Sequence, residues 1–325
     1  MLLLGLGLVY FVCLFIGAAN LSPQDVLDVW RGQGSWADNY IVNNLRMPRT
    51  ACAAVVGAGL SIAGMAMQAM FKNPMASPSI LGLSSGASFG ACLVLAFGVG
   101  GFIGTYAVPT MAFIFCFITM FLVYGLATTK YGVPTVLLLL SGVAVGAFFS
   151  GLTSFIQYIV NSDTLSGIVY WTMGSFGRCG WDSFQIALVT IGAGAGLILF
   201  CAKELNLISL GEEQATTLGV NIRRVRWTLL IGTSLAVGGS VAICGVIGFV
   251  GLIIPHVFRS VGGPNHYTLA PLCILGGGIF MMVMDVTSKT IMSAGEIPVG
   301  VLTALLGAPF FIYIMRKHKN DIWGW

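Results

Sequence analysis

The chain has 325 residues, of which 57% are hydrophobic and 8% are charged, and its formal net charge is +4. Soluble domains carry roughly 25% charged residues, so this composition and a mean hydropathy of +0.93 exclude a soluble protein. The net charge is too small to indicate binding to nucleic acid. No two of the eight cysteines form a C-x-x-C pair and the three histidines do not cluster, so the sequence predicts no metal centre.

Apolar stretches that could cross a bilayer recur along the whole chain. A membrane-spanning helix needs about 20 apolar residues, and this rule predicts ten spans in one membrane domain, residues 1–325. Their approximate bounds are 1–19, 49–70, 80–98, 107–128, 135–159, 183–202, 226–246, 250–262, 268–290 and 298–316. The eighth is too short to cross alone and needs cover from neighbouring protein. The predicted fold class is an all-α integral membrane protein.

The basic residues orient these spans. With the amino terminus in the cytoplasm, ten lysines and arginines fall on inside loops and five on outside segments, as the positive-inside rule requires. The inside set is Lys72, Lys130, Lys203, Arg223, Arg224, Arg226, Arg259, Arg316, Lys317 and Lys319. The outside set is Arg31, Arg46, Arg49, Arg178 and Lys289. Both termini are therefore predicted to be cytoplasmic.

The first outside loop, residues 21–48, contains a helix signal. Ser22 is a suitable N-cap, and Pro23 occupies the first helical position, where its missing N–H costs nothing. A short surface helix is predicted to run through Trp30.

Two inside segments are candidates for function. Pro74 and Pro78 make the loop at residues 71–78 stiff, which suits either a plain connector or a gate. Residues 210–220, here called the coupling segment, are polar, form a predicted short helix and begin with two carboxylates, which the helix dipole favours. A structured polar helix between two apolar spans indicates a docking element for a soluble partner that drives the protein from outside the bilayer.

Charged residues inside the predicted spans are rare. Asp285 precedes Lys289 by four residues, and this spacing favours an ion pair on one helix over a proton relay. The scarcity of such groups disfavours the alternative function, an ion-coupled secondary transporter. A phosphate-binding G-x-x-x-x-G-K-[ST] loop does not occur, so the chain is not expected to hydrolyse ATP or to be an enzyme.

Arg46 and Arg49 stand at the outer mouth of the second span. They are either interfacial anchors or, with Lys289, a basic rim that docks an acidic partner. The residues alone leave these two interpretations open.

Several ordered motifs carry a resemblance to a known family. They are Arg46-Met47-Pro48-Arg49, Gly64-x-x-x-Gln68-Ala69-x-Phe71-x-Asn73-Pro74-Met75-Ala76-x-Pro78, Leu81-Gly82-x-Ser84-x-Gly86-Ala87, Leu210-Gly211-Glu212-Glu213-Gln214-Ala215 with Leu218-Gly219-Val220, the Gly248–His256 stretch, and the Glu296–Pro309 stretch. Over essentially the whole chain, these motifs resemble the membrane permease of the iron-chelate and vitamin B12 ABC importers.

The resemblance implies a ten-span type II ABC importer permease in a bacterial or archaeal plasma (inner) membrane. It implies a dimer of permeases, two cytoplasmic ATPase subunits that hold ATP and Mg²⁺, and an extracytoplasmic substrate-binding protein. No cofactor is expected in this chain. The implied cargo is an iron–siderophore first and cobalamin or haem next, while some relatives take oxyanions.

The resemblance also implies roles for particular residues. The ATPase-coupling residues are Gly211, Glu212, Glu213, Ala215, Leu218, Gly219 and Val220. Of these, Ala215, Leu218 and Val220 are expected to fill a groove of the ATPase. The residues that dock the binding protein are Arg46, Arg49 and Lys289, and the inner gate comprises Asn73, Met75, Thr135 and Val136.

Overall fold

The computed structural model of the chain describes residues 2–17, 21–130, 132–292 and 295–317. The described residues form fifteen α-helices. In chain order they are α1 (Leu2–Phe15), α2 (Pro23–Trp30), α3 (Trp36–Tyr40), α4 (Met47–Met70), α5 (Leu83–Phe97), α6 (Ala107–Ala127), α7 (Thr135–Ile159), α8 (Ser162–Thr172), α9 (Trp181–Phe200), α10 (Ala202–Leu210), α11 (Glu212–Thr217), α12 (Ile222–Cys244), α13 (Val250–Gly262), α14 (His266–Thr290) and α15 (Val299–Lys317). A π-helical stretch, Ile41–Arg46, leads into α4, and 3-10 turns at Pro78–Leu81 and Gly101–Tyr106 precede α5 and α6.

Ten of these helices coincide with the ten predicted spans. Six of the described helices are long and apolar enough to cross a membrane, and they contain α4, α6, α7, α9, α12 and α14. The other four are shorter apolar helices, namely α1, α5, α13 and α15. The predicted all-α fold class is confirmed. Helix α12 begins at Ile222, four residues before the predicted bound, because the Asn221 side chain caps it by accepting a hydrogen bond from the Arg224 amide.

Side-chain contacts between residues distant in the chain gather the connections between helices at two ends. One end, the Glu212 end, holds the loop after α4, the loop before α7 and the coupling segment. The other, the Glu296 end, holds α2, α3, α8 and the connection from α14 to α15. The predicted capping of α2 is confirmed, since Ser22 and Asp25 form a reciprocal capping box and Pro23 opens the helix.

Helix α4 lies at the centre and packs against α1, α9, α12, α13 and α14. Glycines allow two of these contacts to be close. A methyl group added to Gly57 would overlap the Gly277 carbonyl oxygen of α14, and one added to Gly64 would overlap the Gly251 carbonyl oxygen of α13. Small residues at such crossings let helix backbones approach closely, which strengthens the van der Waals packing between membrane helices.

The short eighth span is interrupted at its start. Gly245 and Phe249 have positive φ angles of 75° and 66°, and the backbone between α12 and α13 is not helical. Helix α13 has 13 residues, so it rises about 20 Å, less than the hydrocarbon thickness of about 30 Å. Its first six residues, 250–255, are buried, which confirms that neighbouring protein covers this segment.

Candidate functional site

The coupling segment folds as a compact helix and turn at the Glu212 end. Gly211, with φ of 139°, separates α10 from α11, and Glu212 and Glu213 lie in the first turn of α11. The helix closes at Gly219, where φ is 86°, and the Val220 amide donates to the Ala215 carbonyl oxygen at 3.0 Å. The predicted short helix with an acidic first turn is therefore present.

The three side chains that are expected to fill an ATPase groove differ in their exposure to solvent. Ala215 is fully buried and Val220 is 8% exposed, whereas Leu218 is 61% exposed. Both Ala215 and Val220 pack against the rest of their own chain, and their expected contact with an ATPase groove stays a prediction. They hold the segment in place, and Leu218 is the member of the three that projects outward.

Arg226 joins the coupling segment to two other parts of the Glu212 end. Its Nη2 atom lies 2.6 Å from Glu212 Oε1 and donates to Thr135 Oγ1 at 3.1 Å. Its Nη1 atom donates to the Val133 carbonyl oxygen. Sequence reasoning counted Arg226 only as one of three cytoplasmic arginines, and no local pattern distinguishes it from Arg223 and Arg224.

The four predicted gate residues fall in two places. Asn73 and Met75 line a cavity of about 490 Å³ together with residues that include His256, Arg259 and His266. The Asn73 Oδ1 atom accepts a hydrogen bond from the Met75 amide at 2.9 Å, which fixes the turn. Thr135 and Val136 are not among the residues that line this cavity. They form the first turn of α7, where Val136 is 66% exposed.

A cluster of four charged side chains joins α4, α14 and the following connection at the Glu296 end. Lys289 Nζ lies 2.6 Å from Asp285 Oδ2, which confirms the predicted pair on one helix. Arg49 donates from Nε to Asp285 Oδ1 at 2.9 Å and from both Nη atoms to Glu296 at 2.9 and 2.8 Å. The role of Arg49 was missed because it lies more than 230 residues away in the chain from both carboxylates.

The predicted basic rim is largely covered. Arg46 is 6% exposed and Lys289 is 9% exposed. Arg46 donates to the Leu14 carbonyl oxygen at 2.7 Å. Two carboxylates balance the charges of Arg49 and Lys289, whereas Arg31 and Arg178 are exposed at this end. Arg46, Arg49 and Lys289 therefore present little exposed charge in this structure, and docking of a binding protein through them stays a prediction.

The environment of Glu296 favours its charged form. Partial burial raises the pKa of this carboxyl. The hydrogen bonds and charge of Arg49, together with the charge of Lys289, lower the pKa by more than burial raises it. The net result is a pKa below the ordinary value. Glu296 is thus an anion that holds Arg49 over the end of α14.

Within the described ranges, no group of three or more His, Cys, Asp or Glu side chains is placed to hold a metal ion. The eight cysteines are buried and unpaired as disulfides. Buried cysteine of this kind packs as a small hydrophobic residue.

Comparison with known proteins places this architecture in a family. Residues 4–317 match the model of the FecCD transport family. A cobalamin import system permease of Halobacterium salinarum is 42% identical over 280 residues, covering 86% of this chain and 74% of the relative. A hemin transport system permease of Yersinia pestis is 34% identical over 324 residues, covering 98% and 97% of the two chains.

A solved structure shares the fold of this chain. An inward-facing metal-chelate type ABC transporter is 34% identical and superposes with a TM-score of 0.86, covering 97% of each chain. The family match spans nearly the whole chain, and the predicted resemblance is confirmed. This multi-pass membrane protein belongs to the FecCD transport family.

Proposed function

We propose that the chain is the permease subunit of an ABC importer that moves a metal chelate into the cell. A separate ATPase subunit supplies the energy, and an extracytoplasmic binding protein delivers the cargo. The observation that carries this proposal is the coupling segment: a short helix, anchored by the buried Ala215 and by Arg226, that presents Leu218 at the arginine-rich end. An element that is fixed on one side and exposed on the other is suited to transmit motion from a docked subunit.

The proposal assigns the Glu212 end to the cytoplasm. Lys72, Lys130 and Lys203 lie at this end along with the three arginines at the start of α12, and cytoplasmic loops of membrane proteins carry such an excess. Both termini are then cytoplasmic, and the membrane is the plasma (inner) membrane of a prokaryote.

The second subunit of the path is proposed to be another copy of this chain. Helix α7 supports this assignment, because large apolar side chains along its length are exposed. Beyond its first turn they are Leu140, Val143, Phe148 and Phe155, each at least 60% exposed. A long helix with so little cover from its own chain is suited to line the junction between two permeases.

The cargo is proposed as a metal chelate and no more narrowly. The relatives named above carry cobalamin and hemin, which are both metal macrocycles, while the iron–siderophore expectation remains untested. Uptake by the reconstituted complex with its own binding protein, measured for each of the three cargo types in turn, would decide among them.

The binding protein is proposed to dock at the Glu296 end. Arg46, Arg49 and Lys289 are there, but replacing Arg49 or Lys289 would also disturb the buried cluster, and replacing Arg46 would remove its buried hydrogen bond to Leu14. The exposed Arg178 allows a cleaner test. Arg178→Glu should weaken docking most at low salt, because exposed charges are screened over about 8 Å at physiological ionic strength.

The decisive experiment changes Leu218. Leu218→Glu should abolish copurification of the ATPase subunit and cargo uptake, since a charge would be buried in the proposed contact. Leu218 is preferable to Gly219, because any side chain at φ of 86° would strain the segment itself. Leu27→Glu, at a 39% exposed leucine of α2 on the opposite end, is the control for copurification of the ATPase subunit. Normal ATPase binding and uptake in Leu218→Glu would refute the proposal.

A further inference from the structure

Three arginines open helix α12, and one of them differs from the others. Arg223 and Arg224 are exposed to solvent. The Arg226 side chain is only 11% exposed and points into the structure. A guanidinium largely withdrawn from solvent requires partners for its charge and its N–H donors, so the groups around Arg226 show what it connects.

The partners of Arg226 come from two separate elements. Glu212 belongs to α11, the helix of the coupling segment, and its side chain remains 40% exposed. Val133 precedes α7, and Thr135 is its first residue. One guanidinium therefore connects α11 directly to the beginning of α7 by hydrogen bonds.

Neighbouring contacts fix Arg226 in this position. The ring centroid of the adjacent Trp227 lies 4.0 Å from the ring centroid of Tyr124, near the end of α6. This contact holds the start of α12 beside the loop that runs from α6 to α7. Arginine suits the junction because its planar group carries five N–H donors in a rigid fork, whereas lysine presents a single ammonium on a flexible stem.

The two elements differ in how firmly they are held. The buried side chain of Ala215 anchors α11, while the Glu212 carboxylate of the same helix lies at the surface. Helix α7 exposes much of its length, and Val136, directly after the Arg226 contact, is 66% exposed. A helix whose first turn is exposed and is tied to the coupling segment can follow a displacement of that segment.

We propose that Arg226 is a positioning residue that transmits displacement of α11 to the first turn of α7. This inference rests on the proposed function, because an ATPase must act on the coupling segment for α11 to be displaced. Cargo uptake per ATP then depends on the several N–H donors of the Arg226 guanidinium, and a positive charge at this position is not sufficient.

The test uses the complete complex of permease, ATPase and binding protein in proteoliposomes. Arg226→Met removes the fork and keeps an apolar stem of similar reach. ATP hydrolysis should persist, while cargo uptake per ATP falls on the order of tenfold, within the range typical of coupling between sites. Arg223→Met, which removes an exposed arginine from the same helix turn, is the control and should retain the parental ratio. An unchanged ratio in Arg226→Met, or an equal loss in Arg223→Met, overturns the proposal.

A second readout follows α7 itself. Val136→Cys introduces an exposed thiol into a chain whose eight native cysteines are buried, so a thiol reagent reports on the first turn of α7. ATP should alter the labelling rate in the parental background and have no effect when Arg226→Met is added. Labelling that ignores ATP in the parental background, or that still responds in the double variant, overturns the proposal.

Arg226→Lys decides the case if Arg226→Met does not assemble. Lysine can still pair with Glu212 but cannot also reproduce the bonds to Val133 and Thr135, so uptake per ATP should fall as well. Parental coupling in Arg226→Lys would show that charge alone suffices and would overturn the proposal. If the Arg226 variants keep parental coupling but Leu218→Glu loses ATPase binding, only the role of Arg226 is refuted and the proposed function stands. If Leu218→Glu binds the ATPase and takes up cargo normally, the proposed function itself is refuted.

Discussion

The two ends of the molecule use charged side chains in opposite ways. At the Glu296 end, Arg49 and Lys289 face Asp285 and Glu296, so two positive charges meet two negative charges in a mostly covered cluster. At the Glu212 end, Arg226 meets one half-exposed carboxylate and two neutral acceptors.

This difference separates a fixed joint from a movable one. Removing a partner from a buried, balanced cluster strands a charge, which costs far more than losing an exposed pair. The Glu296 end is therefore suited to hold α4 and α14 together while the rest of the protein moves. The junction at Arg226 includes a surface carboxylate and neutral acceptors, so it can rearrange without stranding a second buried charge.

The largest expected effect comes from breaking the balanced cluster. Asp285→Ala leaves Arg49 and Lys289 without their shared, buried acceptor and should reduce stability by about 3–5 kcal/mol. The unfolding midpoint of the purified protein in detergent measures this loss. Asp28→Ala, which breaks the exposed pair with Arg31, is the control and should cost less than about 1 kcal/mol. Equal shifts in the two variants would contradict the picture of a fixed joint.

A smaller effect is expected from weakening the movable junction by one bond. Thr135→Val removes the hydroxyl that accepts from Arg226 while the contacts to Glu212 and Val133 remain. A lost hydrogen bond of this kind is worth about 0.5–1.5 kcal/mol, so uptake per ATP should fall a few-fold and less than in Arg226→Met. Thr128→Val, which loses only a bond to the Tyr124 carbonyl oxygen, should leave the ratio unchanged. The same ratio in Thr135→Val and the parent would argue against this contact.

The smallest effect concerns Glu296 and its dependence on pH. Its folded-state pKa lies below the ordinary value of 4.5, so its contribution to stability is present above that value and is lost as pH falls through the folded pKa. The carboxyl is 36% exposed, and Glu296→Gln should cost less than about 1 kcal/mol at neutral pH. The difference between parent and variant, measured by unfolding midpoints, should shrink on acidification. If the stability difference between the parent and Glu296→Gln stays constant from neutral to acid pH, the charge of Glu296 does not contribute to stability.

Sequence reasoning located the spans well because hydrophobic length is a local property. Each of the ten apolar helices can be recognised from its own residues, and so can the cap at Ser22 and the pair between Asp285 and Lys289 four residues apart. The coupling segment was also visible, since a polar helix with an acidic start interrupts two apolar runs. These features depend on neighbours within a turn or two of helix.

The site was less predictable wherever residues distant in the chain meet. Ala215 and Leu218 are both apolar and lie three residues apart, but only the packing of α11 on its neighbours shows that the first faces inward and the second outward. The residues around Arg49 left anchoring and docking open, and only the fold shows that Asp285 and Glu296 meet its side chain.

By itself the sequence determined the positions of the ten apolar helices, the helical class and the family, because apolar length, capping residues and ordered motifs are local to the chain. Only the tertiary structure decided which charges are neutralised and which arginine of three connects the coupling segment to α7. Burial and ion pairing depend on which helices become neighbours, and that is settled by packing across hundreds of residues.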